Sequence, residues 1–517
     1  MQKSILSAVM LGASSLPLLA ATNGVGNSAC TGPNGILFNR EPRSNAIVQV
    51  AQSVAFLPGR TGQGNDLLVA TASDARGLDT NPNANLTSEN GFYVQRSNAN
   101  CVADFEGGEP PISTSIDTFV VAEEGGSPTV VADPKHDVFF IVDLRLGLTR
   151  PINGVGIVRS TAATLLNTTD CPNGTEGTTG TCWPTGTAVD VTDLNTFLFN
   201  PHLAVDPRAS GTGAGDLYAV VTQENSTNGT TSVFLTACTN GLNCGNAIRI
   251  SGSDTQADYS WVQVRPDGGV TISYRNTTFP GINPEQIKFV TCTPNGAPQA
   301  PTCNAPILIT TEVRPAFDAL IGDVNTTNVL YPKHVNRLEA DGRTVTTFVE
   351  YDRCDVSLVI GIAAVCPKTG VVVTRSSDGG TTWSTVDKVS LAKGQQFFGA
   401  ISNDDSTGTV NIAYYSTEND PAQQHPQVFL AQILPGATTV GGIHQLTTSF
   451  ADVQATPPLF FQFQPLAFGN RIGVTAGGNG TSGHSHAYVT YTWNSVPGVY
   501  NGVSSPDVIN HVALFEY

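Results

Sequence analysis

Between Ser127 and Tyr415 the chain repeats one short phrase: an apolar strand, a turn carrying Asp beside Pro or Gly, and a second apolar strand. It runs through Ser127–Pro134 into Val138–Val142, Asn200–Pro207 into Leu217–Val221, and Trp261–Gly268 into Val270–Tyr274. Lys333–Gly342 into Val345–Tyr351 and Gly399–Asp405 into Val410–Tyr415 complete the series. Val, Ile, Thr and aromatic residues suit a pleated, packed surface, and Asp-Pro or Asp-Gly reverses the chain at low steric cost. One such unit is too small to bury its own faces. A fixed spacing therefore implies units that stack on one another. Units starting near 53, 126, 199, 259, 331, 397 and 458 give seven, of roughly 66 residues each. The last is read as Leu459–Ala467, Arg471–Ala476, His486–Trp493 and Ile509–Tyr517.

Each copy is followed by a further hairpin, and one of these is distinctive. Val371–Ser390 leads with Val-Val-Val-Thr, turns on Asp378-Gly379-Gly380 and returns from Trp383. Ser376, Asp378, Gly380, Thr382 and Trp383 spell S-x-D-x-G-x-T-W, which resembles the Asp-box of the sialidase-like (BNR-repeat) β-propellers. The resemblance implies a β-propeller of four-stranded antiparallel blades, and the count of seven units makes the expected fold an all-β, seven-bladed ring. A six-bladed ring with an extra N-terminal sheet is the alternative. Hairpins at Phe234–Ser251 and Phe289–Thr310 align with the box but carry Cys238 and Cys292 at its serine position, each with a second cysteine after the turn. A disulfide there would hold what Asp378 and Trp383 hold in the box.

Composition bounds compartment and partners. Ten cysteines, an even number, favour disulfides, and no C-x-x-C occurs to favour zinc. Spacing pairs Cys171 with Cys182, Cys238 with Cys244, Cys292 with Cys303 and Cys354 with Cys366, leaving Cys30 for Cys101. Residues 1–21 carry Lys3 and an apolar run broken by Ser14, Ser15 and Pro17, which reads as a secretory signal rather than a membrane anchor. Residues 22–52 form an N-terminal segment that could supply a closing strand (Asn45–Ala51), and 53–517 form the propeller. Eight N-x-Ser/Thr sequons, from Asn85 to Asn479, offer sites for glycosylation. A net charge of −17 with 13% charged residues argues against nucleic acid and anionic membranes. The expected protein is secreted, with no membrane span, no cofactor, no metal, and a carbohydrate partner.

In the resembled superfamily, first-strand starts and second-strand ends converge on one mouth of the channel, and the Asp-box lies at the other. First-strand starts here contribute His202, Trp261 and His334. Second-strand ends contribute Asp74, Arg145, Arg275, Glu350, Tyr351 and Arg353. Sialidases hold a substrate carboxylate with three arginines and use a Tyr/Glu nucleophile and an Asp acid/base. The nearest analogues are Arg145, Arg275 and Arg353 with Tyr351, Glu350 and Asp74, with Trp261 as a further binding residue. Glu350 and Tyr351 are adjacent, so on a regular strand they face opposite ways. No Arg-Ile-Pro signature occurs; Arg40 and Arg43 stand nearest to it. Some seven-bladed propellers of similar build are polysaccharide lyases or unusual glycosidases that use His with Arg and Tyr on acidic sugars, and that resemblance implies such roles for His202 and His334 with Tyr351 and Arg275. Sialidase-like recognition or hydrolysis of an acidic glycan, uronate lysis, and non-catalytic binding are thus the three readings. His484-Ser485-His486 has metal-ligand spacing, set against a solvated Gly/Ser-rich loop.

Overall fold

The computed structural model describes residues 36–37, 49–59, 66–74, 89–96, 105–107, 128–146, 152–171, 182–193, 195–277, 285–312, 331–360, 363–451, 471–478, 485–500 and 503–517. They form seven antiparallel sheets, each built on four strands. The inner strands are Gln49–Leu57, Thr129–Asp133, Thr196–Val205, Ala257–Val264, Lys333–Leu338, Gln396–Asp404 and Gly473–Gly478. Each touches the next, and the seventh touches the first. The protein is a seven-bladed β-propeller.

Packing explains the sequence pattern. Middle strands are covered by a neighbouring blade on both faces, so they read as near-continuous buried runs, as in Val270–Asn276 and Gln427–Ile433. Several outer strands are short edges, such as Ile248–Arg249 and Asp387–Lys388. The hydrophobic core is divided accordingly into seven clusters, one between each adjacent pair of blades. Val54, Phe56 and Leu68 of blade one meet Tyr488, Val512 and Leu514 of blade seven.

Ring closure differs from the expected arrangement in two respects. The closing strand is Ile36–Leu37, pairing Ile36 with Val512 and Leu37 with His511; residues 49–51 belong to the first inner strand. In blade seven the second expected strand takes the inner place, because the N-terminal strand fills the outer one. Residues 459–467 lie outside the described residues.

The repeated Asp sits where each inner strand ends, and its carboxylate accepts the amide two residues on. Asp133 takes Lys135 N (3.0 Å), Asp206 takes Arg208 N (3.0 Å), Asp267 takes Gly269 N (3.0 Å), Asp341 takes Arg343 N (2.9 Å) and Asp404 takes Ser406 N (2.9 Å). This is the Asx turn that makes Asp a turn former.

The turns between strands three and four are cross-braced. Blades two, three and four use Cys171–Cys182, Cys238–Cys244 and Cys292–Cys303. Blade five uses a carboxylate: Asp378 accepts from Thr382 N (2.9 Å), Thr382 Oγ1 (2.6 Å) and Ser376 Oγ (2.7 Å), while Ser376 Oγ accepts from Gly380 N (2.9 Å). Gly380 has φ +91°, and a Cβ there would lie 2.6 Å from the Phe289 ring. Trp383 lies in the turn, before the Asp387–Lys388 return strand, and packs edge-on against Phe289 of blade four. Cys354 is disulfide-bonded; the side chain of Cys366, and Cys30 and Cys101, lie outside the described residues.

Candidate functional site

A local backbone device recurs where the inner strands begin. The ladder between first and second strands slips by one residue in blades one, three, four and six, between Val50/Ser53, Phe199/His202, Asp258/Trp261 and Phe397/Ala400. Asn200, Tyr259 and Phe398 occupy these bulges with φ of +52°, +48° and +53°. Asn tolerates that region; for Tyr and Phe it costs about 1–3 kcal/mol each. Bulges of this kind re-aim side chains, and here they do so at one end of the channel.

The re-aimed residues build a continuous array. Trp261 stacks on His202 (3.5 Å between ring centroids) and meets Tyr331 edge-on (5.9 Å). Tyr331 meets Tyr259 (5.5 Å), and the Arg275 guanidinium lies 4.6 Å from the Tyr259 ring. Arg471, from blade seven, donates Nη2 to Asn200 Oδ1 of blade three (2.8 Å) and lies 5.1 Å from the Tyr331 ring of blade five. To touch both it must cross the channel. It is 4% exposed, makes no ion pair among the described residues, and its Nε has no hydrogen-bond partner among them.

Behind the array lies a buried ionisable group of blade five. Lys333 and Glu350 face each other across the first two strands. Lys333 Nζ donates to the Gly399 carbonyl. Asp352 accepts from Phe398 N (2.8 Å) and Gly399 N (3.2 Å), which secures the bulge of blade six. Burial raises the Asp352 pKa to about 6 against the pull of those amides. Burial likewise lifts Glu350 well above the carboxylate range and lowers Lys333, although Glu350 and Asp352 draw Lys333 back up. Glu350 is 1% exposed and its Oε2 has no partner among the described residues.

The expected residues divide by environment. His202 Nδ1 accepts the Val262 amide of the next blade (3.3 Å). Ser53 and Ser402 do the same for Val130 and Ala476, so His202 fills an inter-blade latch position. Burial, and then the Arg471 charge, hold its pKa well below 6.5. His334 is held through both nitrogens, by Thr271 Oγ1 and Ser273 Oγ (2.8 Å each), and burial takes it down to about 3. Trp261 also donates its indole N–H to the His334 carbonyl (3.1 Å).

Arg275 is clamped by Asp258 (2.6 Å) and Glu285 (3.4 Å). Burial opposes its charge, but those carboxylates raise its pKa. Arg353 lies 3.6 Å from Asp355. Tyr351 donates to Glu312 on the blade-four side (2.8 Å), whereas Glu350 lies against Gly399 on the blade-six side. The two adjacent residues therefore face opposite blades. Asp74 and Arg145 sit on second strands, and their side chains lie outside the described residues. His486, expected in a solvated loop, is buried and bonds Asp66 of blade one (2.6 Å); His484 lies outside the described residues.

Arg471, Tyr331, Lys333, Tyr259 and Asn200 escaped the sequence reading. For two of them the signal is position: Arg471 and Tyr331 each stand two residues before an inner strand. Placing the seventh inner strand at 473 makes Arg471 visible.

A cavity of about 950 Å3 runs along the channel from this level toward the strand ends and is lined by all seven inner strands. His202 and Trp261 are its lining residues nearest the array.

No family model matches the sequence, and no curated protein does. Similar solved structures include an α-L-arabinofuranosidase of Fusarium graminearum in complex with an iminosugar inhibitor, 10% identical over 81% of this chain and 98% of that one, TM-score 0.42. An α-L-arabinanase of Penicillium chrysogenum complexed with arabinobiose is 11% identical over 80% and 97%, TM-score 0.38. AofleA of Arthrobotrys oligospora is 8% identical over 82% and 94%, TM-score 0.36. Likeness at this level carries no argument about activity, and the fold rests on the seven sheets themselves.

Proposed function

We propose that this is a secreted propeller that recognises an acidic glycan at the mouth formed by the inner-strand starts. The observation that carries the reading is Arg471. A buried guanidinium is charged at any physiological pH and is normally paired. This one has a carboxamide and an aromatic face, but no carboxylate among the described residues, and Nε is left over. A sugar carboxylate would supply the missing charge, and guanidinium forks suit carboxylates geometrically. The partly exposed rings of Trp261 and Tyr259 suit the apolar C–H side of a sugar. Disulfides in three blades fit an oxidising compartment; no helix among the described residues is long and apolar enough to cross a membrane.

Hydrolysis is the second reading, favoured by Glu350, a carboxyl whose pKa burial raises in the direction a general acid needs. The lyase reading has less support, since His334 spends both ring nitrogens and His202 its Nδ1 on inter-blade bonds.

Titration calorimetry with sialyllactose, oligogalacturonate and a neutral oligosaccharide tests recognition. Acidic sugars should bind and the neutral one should not; binding of the neutral sugar alone, or of none, defeats the reading. Product release from either acidic sugar, lost in Glu350→Gln, would establish hydrolysis.

A further inference from the structure

The fold treats the sequons at Asn167, Asn225, Asn228 and Asn276 differently. Asn276 ends the second strand of blade four, is 7% exposed, and donates Nδ2 to Gln286 Oε1 (3.1 Å). An oligosaccharide has no room there unless the blade opens. Asn167 follows the one-turn helix Ala162–Leu166 and donates Nδ2 to Asp170 (2.7 Å). Asn225 and Asn228 are the opposite case: their two sequons fill one hairpin turn, Asn225-Ser226-Thr227-Asn228-Gly229-Thr230, between Leu217–Asn225 and Thr230–Cys238. Residues 225–229 are all exposed. Asn225 Oδ1 accepts Thr227 N (2.9 Å), and Asn228 Oδ1 accepts Thr230 N (3.0 Å) and Thr230 Oγ1 (2.7 Å). Each carboxamide is thus fixed through its oxygen, as in an Asx turn, and neither Nδ2 has a hydrogen-bond partner among the described residues. A Cβ added to Gly229 would meet nothing within 4 Å, so the tip faces open space. The turn is held from beneath: Ser226 N and Oγ donate to the Asn195 carbonyl (2.8 and 2.9 Å), and Gln256 Nε2 donates to the Gly229 carbonyl (3.0 Å). A bulky group on either Nδ2 would therefore break none of the bonds that shape the tip.

We propose that this hairpin tip carries an N-linked oligosaccharide, on Asn225 or Asn228, and that Asn276 carries none. The donor is a polyprenyl-pyrophosphate-linked oligosaccharide. The asparagine Nδ2 attacks the first sugar at C1, a C–N bond forms as the C–O bond breaks, the pyrophosphate leaves with the electron pair, and Nδ2 gives up a proton. Asn225 pairs with Thr196 at the start of an inner strand, so the sugar stands at the end of blade three that faces the glycan mouth. The inference rests on the secretion part of the proposed function and not on glycan recognition. The test is to produce the full chain, with its own N-terminal segment, in a eukaryotic secretory host. The secreted protein is treated with a peptide N-glycosidase in 18O-labelled water, which turns each glycosylated Asn into labelled Asp, and its peptides are mapped. Label should appear at Asn225 or Asn228 and be absent from Asn276. The double variant Asn225→Gln with Asn228→Gln should lose the mass of the tip oligosaccharide and keep its unfolding midpoint. A secreted chain bare at both tip residues, or a folded chain labelled at Asn276, would overturn the proposal. A chain retained in the cells would overturn secretion, and the proposal with it.

Discussion

Two buried arginines stand near the inner-strand starts, and their surroundings differ. Arg275 has Asp258 and Glu285 within 3.5 Å and the ring of Tyr259 beneath it. Arg471 has an amide oxygen, a ring and an unused Nε. The first is a neutralised strut within one blade. The second crosses the channel and leaves charge to be met. A position at a strand end selects Arg275 as a ligand residue, but the company each guanidinium keeps selects Arg471.

Arg275→Ala is expected to have the largest effect, and on stability. It strands the buried Glu285 carboxyl and the partly buried Asp258 carboxyl, which costs about 3–5 kcal/mol, read as a lowered denaturant midpoint. A loss of acidic-glycan binding with stability intact would reverse the roles of the two arginines. Arg471→Ala should instead cost about 100-fold in acidic-glycan affinity, about 3 kcal/mol, with stability unchanged or raised, since no carboxylate partner is stranded.

Asp352 sharpens the contrast through pH. Its folded pKa, about 6, lies above the ordinary value of 3.8. Its contribution is therefore complete below pH 3.8 and is lost as pH rises to about 6, a change of about 3 kcal/mol. Asp352→Asn should flatten the stability profile in that window; an unchanged slope would assign it to another group. The smallest effect belongs to Asp378, whose pKa its hydrogen bonds from Thr382, then Ser376, lower to about 2. Its contribution is present above pH 3.8 and lost as pH falls through 2. Asp378→Ala should cost about 1 kcal/mol, shift thermal unfolding slightly and leave binding at the far mouth untouched.

Much of the architecture was legible in the residues. Asp133, Asp206, Asp267, Asp341 and Asp404 mark turns through a bond that spans two residues, so local sequence suffices to place them. Cysteines six or eleven positions apart across a hairpin are equally local, and Cys171–Cys182, Cys238–Cys244 and Cys292–Cys303 follow their spacing. Blade seven was misread because Ile36–Leu37 pairs with residues more than 470 positions away, and no local pattern signals that.

The candidate site was harder to read for the same reason. Sequence placed His202, Trp261 and His334 near the inner-strand starts, because strand order and alternation carry that information. It could not say that Val262, Thr271 and Ser273 already hold the two imidazoles, or that Asp258 and Glu285 already neutralise Arg275. Turn chemistry and alternation act over a few residues and determined the repeat by themselves. Whether a buried charge is met or left over depends on residues from blades three, five and seven brought together around one axis, and only the closed ring decided that.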